Sequence, residues 1–385
     1  MQIVAVAWLT WEMTGSTLWL GIMAMAQVVP FVLVTPWAGV LADRYERRKI
    51  IFLSQSGACL TALTLFALYE LGILTIGILF VMKALLATCV AFGQPARMAM
   101  TPELVSRKDL GSAIAFGAVT FNIARFIGPA VAGLIIALGD VGLAFFINAG
   151  SFLALLLAVK MLKLADRKPV AVDKRRSNLE QAWDGLLYAA HHRGISVVMS
   201  LYLLQAVCIG AITQLFAAYA DIAFASGVEG LALLTSAAGL GSILGGVWMT
   251  RQSSVSNLTS ILCAGIFLSV VLVSIFVLLS NLWIALGVIF LYSSVTVAFR
   301  VSGQTLVQLS VEESMRGRVM GVWAVLGRSG PSIGGLIMGG LTDLYGLSVP
   351  FIVASVLTGV IVITAASQRQ SLSAALSVRE GSQYV

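Results

Sequence analysis

Three basic side chains sit where charge is costly. Lys83, Arg125 and Arg328 each fall near the middle of a long apolar run, and Arg300 falls nearer the end of another. If those runs cross a bilayer, each cation costs on the order of 3 kcal/mol at the centre, so it must face a cavity or a partner. The chemistry open to such groups is the holding of anions. A guanidinium grips two oxygens in a fork, whereas a Lys ammonium acts as a point charge. Snorkelling toward the interface is the competing reading. Acidic partners are scarce, with Glu12 and Asp221 placed toward run ends. Asn122 adds an amide that could bond a ligand or another helix.

A second charged group is local. Asp43, Arg44, Arg47, Arg48 and Lys49 crowd one short connection. The cations follow the carboxyl end of an apolar run, where a helix carries partial negative charge. Asp43 could bond an Arg or a helix amino terminus; the plain alternative is a topology anchor of positive residues. Elsewhere, Gly128-Pro129 with Gly133 and Gly330-Pro331 with Gly335 could hinge their helices, since Pro lacks a backbone donor and clashes with the preceding turn. Close packing through small residues is the other use of such sites. No nucleophile–base arrangement, phosphate-cradling glycine loop or metal-ligand spacing occurs. The sequence therefore speaks against an enzyme, a cofactor, a metal site and an ATP-driven pump in this chain alone.

The elements that must position these residues follow from composition. Of 385 residues 59% are apolar and 11% charged, against about a quarter charged in a soluble domain. Mean hydropathy is +0.97. The net charge of +7 is scattered between apolar runs, not gathered into the stripe a nucleic-acid face requires. Crossing takes roughly 20 apolar residues, and only helices satisfy the backbone in runs this long. Such runs lie at 18–42, 50–69, 73–94, 111–137, 143–162, 195–222, 230–250, 257–279, 282–304, 318–341 and 347–367. A shorter run, 1–13, would rise only about 20 Å. It reads as a first helix lacking roughly ten residues, or as a true half-helix.

Connections 14–17, 70–72, 138–142, 223–229, 280–281 and 342–346 contain no Lys or Arg, while the alternate ones are basic. Positive residues stay in the cytoplasm, which places both termini there and the chain in a bacterial cytoplasmic membrane. Four segments result: a six-helix bundle over 1–162, a linker over 163–194, a second bundle over 195–367 and a tail over 368–385. Within the linker, Leu179, Trp183, Leu186 and Leu187 recur at helical spacing, so an amphipathic helix on the inner leaflet is expected. The halves also repeat. Gly128-Pro129-Ala-Val-Ala-Gly133-Leu134-Ile135 matches Gly330-Pro331-Ser-Ile-Gly-Gly335-Leu336-Ile337, and Gly39-x3-Asp43-Arg44 matches Gly246-x3-Thr250-Arg251. Duplicated bundles around a midplane cavity are a common build for secondary transporters.

Gly39-Val-Leu-Ala-Asp43-Arg44-Tyr-Glu-Arg47-Arg48-Lys49 resembles the loop motif of the major facilitator superfamily, with Glu46 where that motif usually has Gly. Within it, three segments resemble the enterobactin-exporter and multidrug-efflux branch: Glu12-Met-Thr-Gly15-Ser16; Pro95-Ala96-Arg97 with Pro102-Glu103; and Asn122-x2-Arg125-x2-Gly128-Pro129. Arg316-Gly317-Arg318-Val319-Met320 is similar to that branch in the second half. The resemblance implies two pseudo-symmetric six-helix bundles and efflux of a small molecule, a siderophore or drug-like compound, by alternating access. It further implies a proton as coupling ion, with residues 43–49 as a conformational latch. Lipid and cargo are the expected partners of a monomer. An uptake permease and a nontransporting membrane sensor are the alternatives; the sensor would need a signalling extension longer than Gln368–Val385.

Overall fold

A computed structural model describes residues 1–106, 109–161, 178–252 and 254–366. Residues 163–177 of the linker and the whole tail 368–385 lie outside the described residues. Among those described, every regular element is helical. The first six helices are α1 (Gln2–Thr14), α2 (Thr17–Arg44), α3 (Arg47–Glu70), α4 (Ile76–Leu104), α5 (Leu110–Leu138) and α6 (Val141–Met161). The described part of the linker holds α7 (Asn178–His191), and then come α8 (Arg193–Leu204), the single turn α9 (Phe216–Ala218), α10 (Gly227–Met249), α11 (Val255–Phe276), α12 (Leu282–Ser310), α13 (Glu313–Tyr345) and α14 (Val349–Ala366). Eight helical stretches among the described residues are long and apolar enough to cross a membrane. Phe126–Leu138 and Val349–Val362 add shorter apolar ones.

Helix starts are set by side chains that satisfy orphan backbone donors. Thr75 accepts from the Ile78 amide at 3.4 Å, Asp140 from Leu143 at 2.8 Å, and Asn281 from Trp283 at 2.9 Å. Helix α1 stops at Gly15, whose φ of 57° is the left-handed conformation that glycine adopts without a Cβ penalty.

One expected span is not a continuous helix. Over 195–222, α8 gives way to a π turn at Gln205–Ile209 and a 3-10 turn at Gly210–Gln214. After α9, a second π turn covers Tyr219–Ala223. Apolar runs report membrane depth, not hydrogen-bond register, so these breaks leave no trace in hydropathy. Helix α13 packs against the first two of them. The Ala206 side chain and the Val207 carbonyl lie where a Cβ on Gly330 or Gly334 would fall. The backbone of α13 thus approaches the irregular segment too closely for any side chain.

The helices form two compact units. Unit 1 comprises Met1–Gly15, Ile22–Arg175 and Gly227–Ser236; unit 2 comprises Ser16–Gly21, Arg176–Ser226 and Ala237–Val385. Two helices, α2 and α10, therefore begin in one unit and finish in the other. In unit 1, Ala42, Ile50, Ile51, Ala96, Met100 and Val159 form an apolar cluster. In unit 2 the Tyr202 and Trp323 rings stack at 4.0 Å within a larger core, and Tyr219 packs among Phe276 and Phe351.

Candidate functional site

The basic connection is built where α2 ends and α3 begins. Asp43 lies in the last turn of α2, its side chain outside the described residues. Arg44 is exposed. Arg47 donates from Nη1 to the Ala99 carbonyl at 2.7 Å, and Arg48 donates to the Lys160 carbonyl. Both acceptors lie near carboxyl ends of their helices, α4 and α6, where cations are favoured. Lys49 pairs with Glu46 at 2.9 Å, with side chains 81% and 52% exposed. A pair so exposed contributes little. Residues 44–49 thus tie α3 to α4 and α6 inside unit 1.

The span charges lie on several helices. Lys83 is half-buried on α4, Arg328 is exposed on α13, and Glu12 is exposed on α1. Asp221 is exposed within the second π turn of the broken span. Asn122 and Arg125 belong to α5, with side chains outside the described residues.

The glycine–proline motifs do not interrupt their helices. Helix α5 runs through Gly128 and Pro129, and α13 through Gly330 and Pro331. What these glycines visibly provide is proximity. In unit 1, Gly133 abuts the Ala232 side chain of α10. In unit 2, a Cβ on Gly335 would meet the Gln214 side chain at 3.0 Å, and one on Gly339 would meet the Thr17 carbonyl of α2.

That last approach brings together a group the sequence reading missed. Asp343, near the end of α13, accepts from Ser16 Oγ at 2.5 Å, from the Thr17 amide at 2.8 Å, from Thr17 Oγ1 at 2.6 Å and from the Leu18 amide at 3.2 Å. The carboxylate satisfies orphan donors at the positive end of α2. Burial acts to raise its pKa, but the bonds from Ser16, Thr17 and Leu18 outweigh that and hold it below the usual carboxylate value. The one available signal was an acid in a connection free of basic residues. A second missed contact is Arg318 Nη1 with Asp184 Oδ2 at 3.1 Å, which docks α7 on α13. Gly185 there lies against the Arg318 backbone.

This chain's fold is one that solved membrane transporters share. Its fold matches a solved structure of the nucleoside transporter NupG over 95% of this chain and 96% of that one, with TM-score 0.67 and 12% identity. It also matches a bacterial homologue of the iron transporter ferroportin in an inward-facing state, over 95% and 96%, with TM-score 0.66 and 18% identity. A family described as transmembrane secretion effector matches residues 1–380, and the chain belongs to it. It is 28% identical over 350 residues to the enterobactin exporter EntS of Shigella boydii serotype 18, covering 86% of this chain and 77% of that protein. The enterobactin exporter EntS of Escherichia coli O81 is similar to the same extent.

Proposed function

We propose that this membrane transporter exports a small, acid-rich molecule of the siderophore kind by alternating access, driven by inward movement of protons. The observation that carries the reading is likeness to enterobactin exporters over 86% of the chain. The excess of mid-span cations supports the charge of the cargo. Lys83, Arg125 and Arg328 outnumber central acids, and in a low dielectric even two of them favour an anion over a cationic drug. Arg125 is proposed as the main contact, because a guanidinium fork matches carboxylate or catecholate oxygens. Residues 43–49 serve as the cytoplasmic latch, and the paired Gly-Pro motifs let the helices rock. The protein acts as a monomer in the bacterial cytoplasmic membrane, with both termini inside.

Accumulation in inside-out vesicles tests this directly. Uptake of a catecholate siderophore should require an imposed pH gradient, and lipophilic cations should be poor cargo. Arg125→Lys and Arg125→Gln, at matched protein levels, should each lose affinity for anions. Preference for lipophilic cations, or wild-type affinity in both variants, would overturn the anion reading. Cysteines placed at Ser226 and Gly346 should react with an impermeant thiol reagent from outside, and one at Ser106 should not.

A further inference from the structure

We propose that Asp343 is a positioning residue for the transport cycle, a releasable carboxylate latch holding the first turn of α2 against the last turn of α13. The place is notable. It lies at the opposite end of α2 from Arg44 and at the opposite end of α13 from Arg316 and Arg318, on the side whose connections carry no Lys or Arg. Four donors from three consecutive residues converge on one carboxylate. Residues 16–21 of α2 group with unit 2, while 22–44 group with unit 1. The bonds on Asp343 therefore lie within unit 2 and grip the leading end of α2 there.

Two features make the contact releasable. Helix α2 carries its own cap: Ser16 Oγ already accepts from the Trp19 amide at 3.4 Å, so the helix start keeps a polar partner when the carboxylate leaves. Thr17 Oγ1, with one proton, lies 2.6 Å from Asp343 Oδ1 and 2.7 Å from the Gly339 carbonyl, so it can donate to either. Asp343 is exposed and Ser16 half-buried, so water can reach the carboxylate and replace what is broken. The glycine face supplies the approach. A Cβ on Gly21 would strike the Gly335 carbonyl, and one on Gly339 the Thr17 carbonyl. Backbones in contact give Asp343, with its short side chain, the reach to cap another helix. A static cap would need neither a residue 326 positions away nor a spare one on α2 itself.

Thiol accessibility tests the latch without any cargo, so its failure is distinguishable from failure of the export reading on which the role in the cycle rests. Thr342 is 4% exposed, and its hydroxyl lies 2.6 Å from that of Thr17. In a chain cleared of Cys59, Cys89, Cys208 and Cys263, Thr342→Cys should be protected from an impermeant thiol reagent. Adding Asp343→Asn should raise the labelling rate about tenfold, the scale expected for weakening charge-assisted bonds. Asp343→Glu should return much of the protection, and siderophore export should fall about tenfold in Asp343→Asn alone. Should that variant fail to accumulate, Ser16→Ala removes one bond and should raise labelling about threefold. Unchanged labelling in the accumulating variants would overturn the latch, and raised labelling with undiminished export would overturn its role in the cycle.

Discussion

Helices α2 and α10 occupy matching places in the two halves, and each begins in one compact unit and ends in the other. Their starts are held differently. The start of α2 is gripped by a carboxylate with four directional bonds. The start of α10 has no side-chain cap from Ser226 and instead lies against α5, where Gly133 meets Ala232. The repeat itself shows where the difference arose. The Gly-Pro motifs are offset by 202 positions (330 − 128), so Asp343 corresponds to Val141, while the neighbouring Asp140 caps its own helix α6. The α2 start thus adds directional bonds to glycine packing, whereas the α10 start has packing without a side-chain cap. Directional bonds exchange with water one at a time, whereas a glycine contact depends on surfaces that fit.

The largest effects should come from filling the close approaches. Gly339→Leu would drive a side chain into the Thr17 backbone carbonyl, which cannot yield, and should abolish folded transporter in a detergent-stability assay. Gly133→Leu meets the Ala232 Cβ first, with the Ala232 Cα and the Val228 carbonyl farther off, so it should cost about 1–3 kcal/mol. Adding Ala232→Gly should return part of that stability. Equal rescue at both sites by trimming one partner would erase the distinction between them.

Next in size is the other end of α2. Asp43→Asn should cut export strongly with insertion unchanged, because about 1.4 kcal/mol is already tenfold in a conformational population. Normal export in that variant would reduce the basic connection to a topology anchor. The third test uses acid. Because the Asp343 carboxyl is held below its ordinary pKa, its bonds contribute fully above the usual carboxylate range and are lost as pH falls through the lowered value. Protection of Thr342→Cys, read with a reagent active in acid, should therefore survive mild acid and fail only below that range. Loss of protection near neutrality would contradict the assignment. The smallest effect belongs to Arg318→Ala. Its pair with Asp184 is about a third exposed, and a stability change within about 1 kcal/mol is expected by thermal unfolding.

Much of this was legible in one dimension. Each expected span falls on a helical stretch, because insertion depends on the hydropathy of some twenty neighbouring residues, a local quantity. The repeat of Gly-Pro motifs pointed to glycine faces that do meet other helices, though their visible work is close approach within unbroken helices. The mid-span cations were equally plain as a pattern, and the structure places Lys83 on α4 and Arg328 on α13.

By itself, then, the sequence determined that this is a multi-helix membrane chain with basic and nonbasic connections in alternation. Those properties are sums over adjacent residues and need no partner. Only the tertiary structure decided that the span over 195–222 breaks into π and 3-10 turns, that Arg318 holds α7 through Asp184, and that Asp343 caps α2. Each depends on where a distant backbone comes to rest, and a hydrogen bond that vanishes over an extra ångström or two leaves no periodic mark in its own stretch of chain.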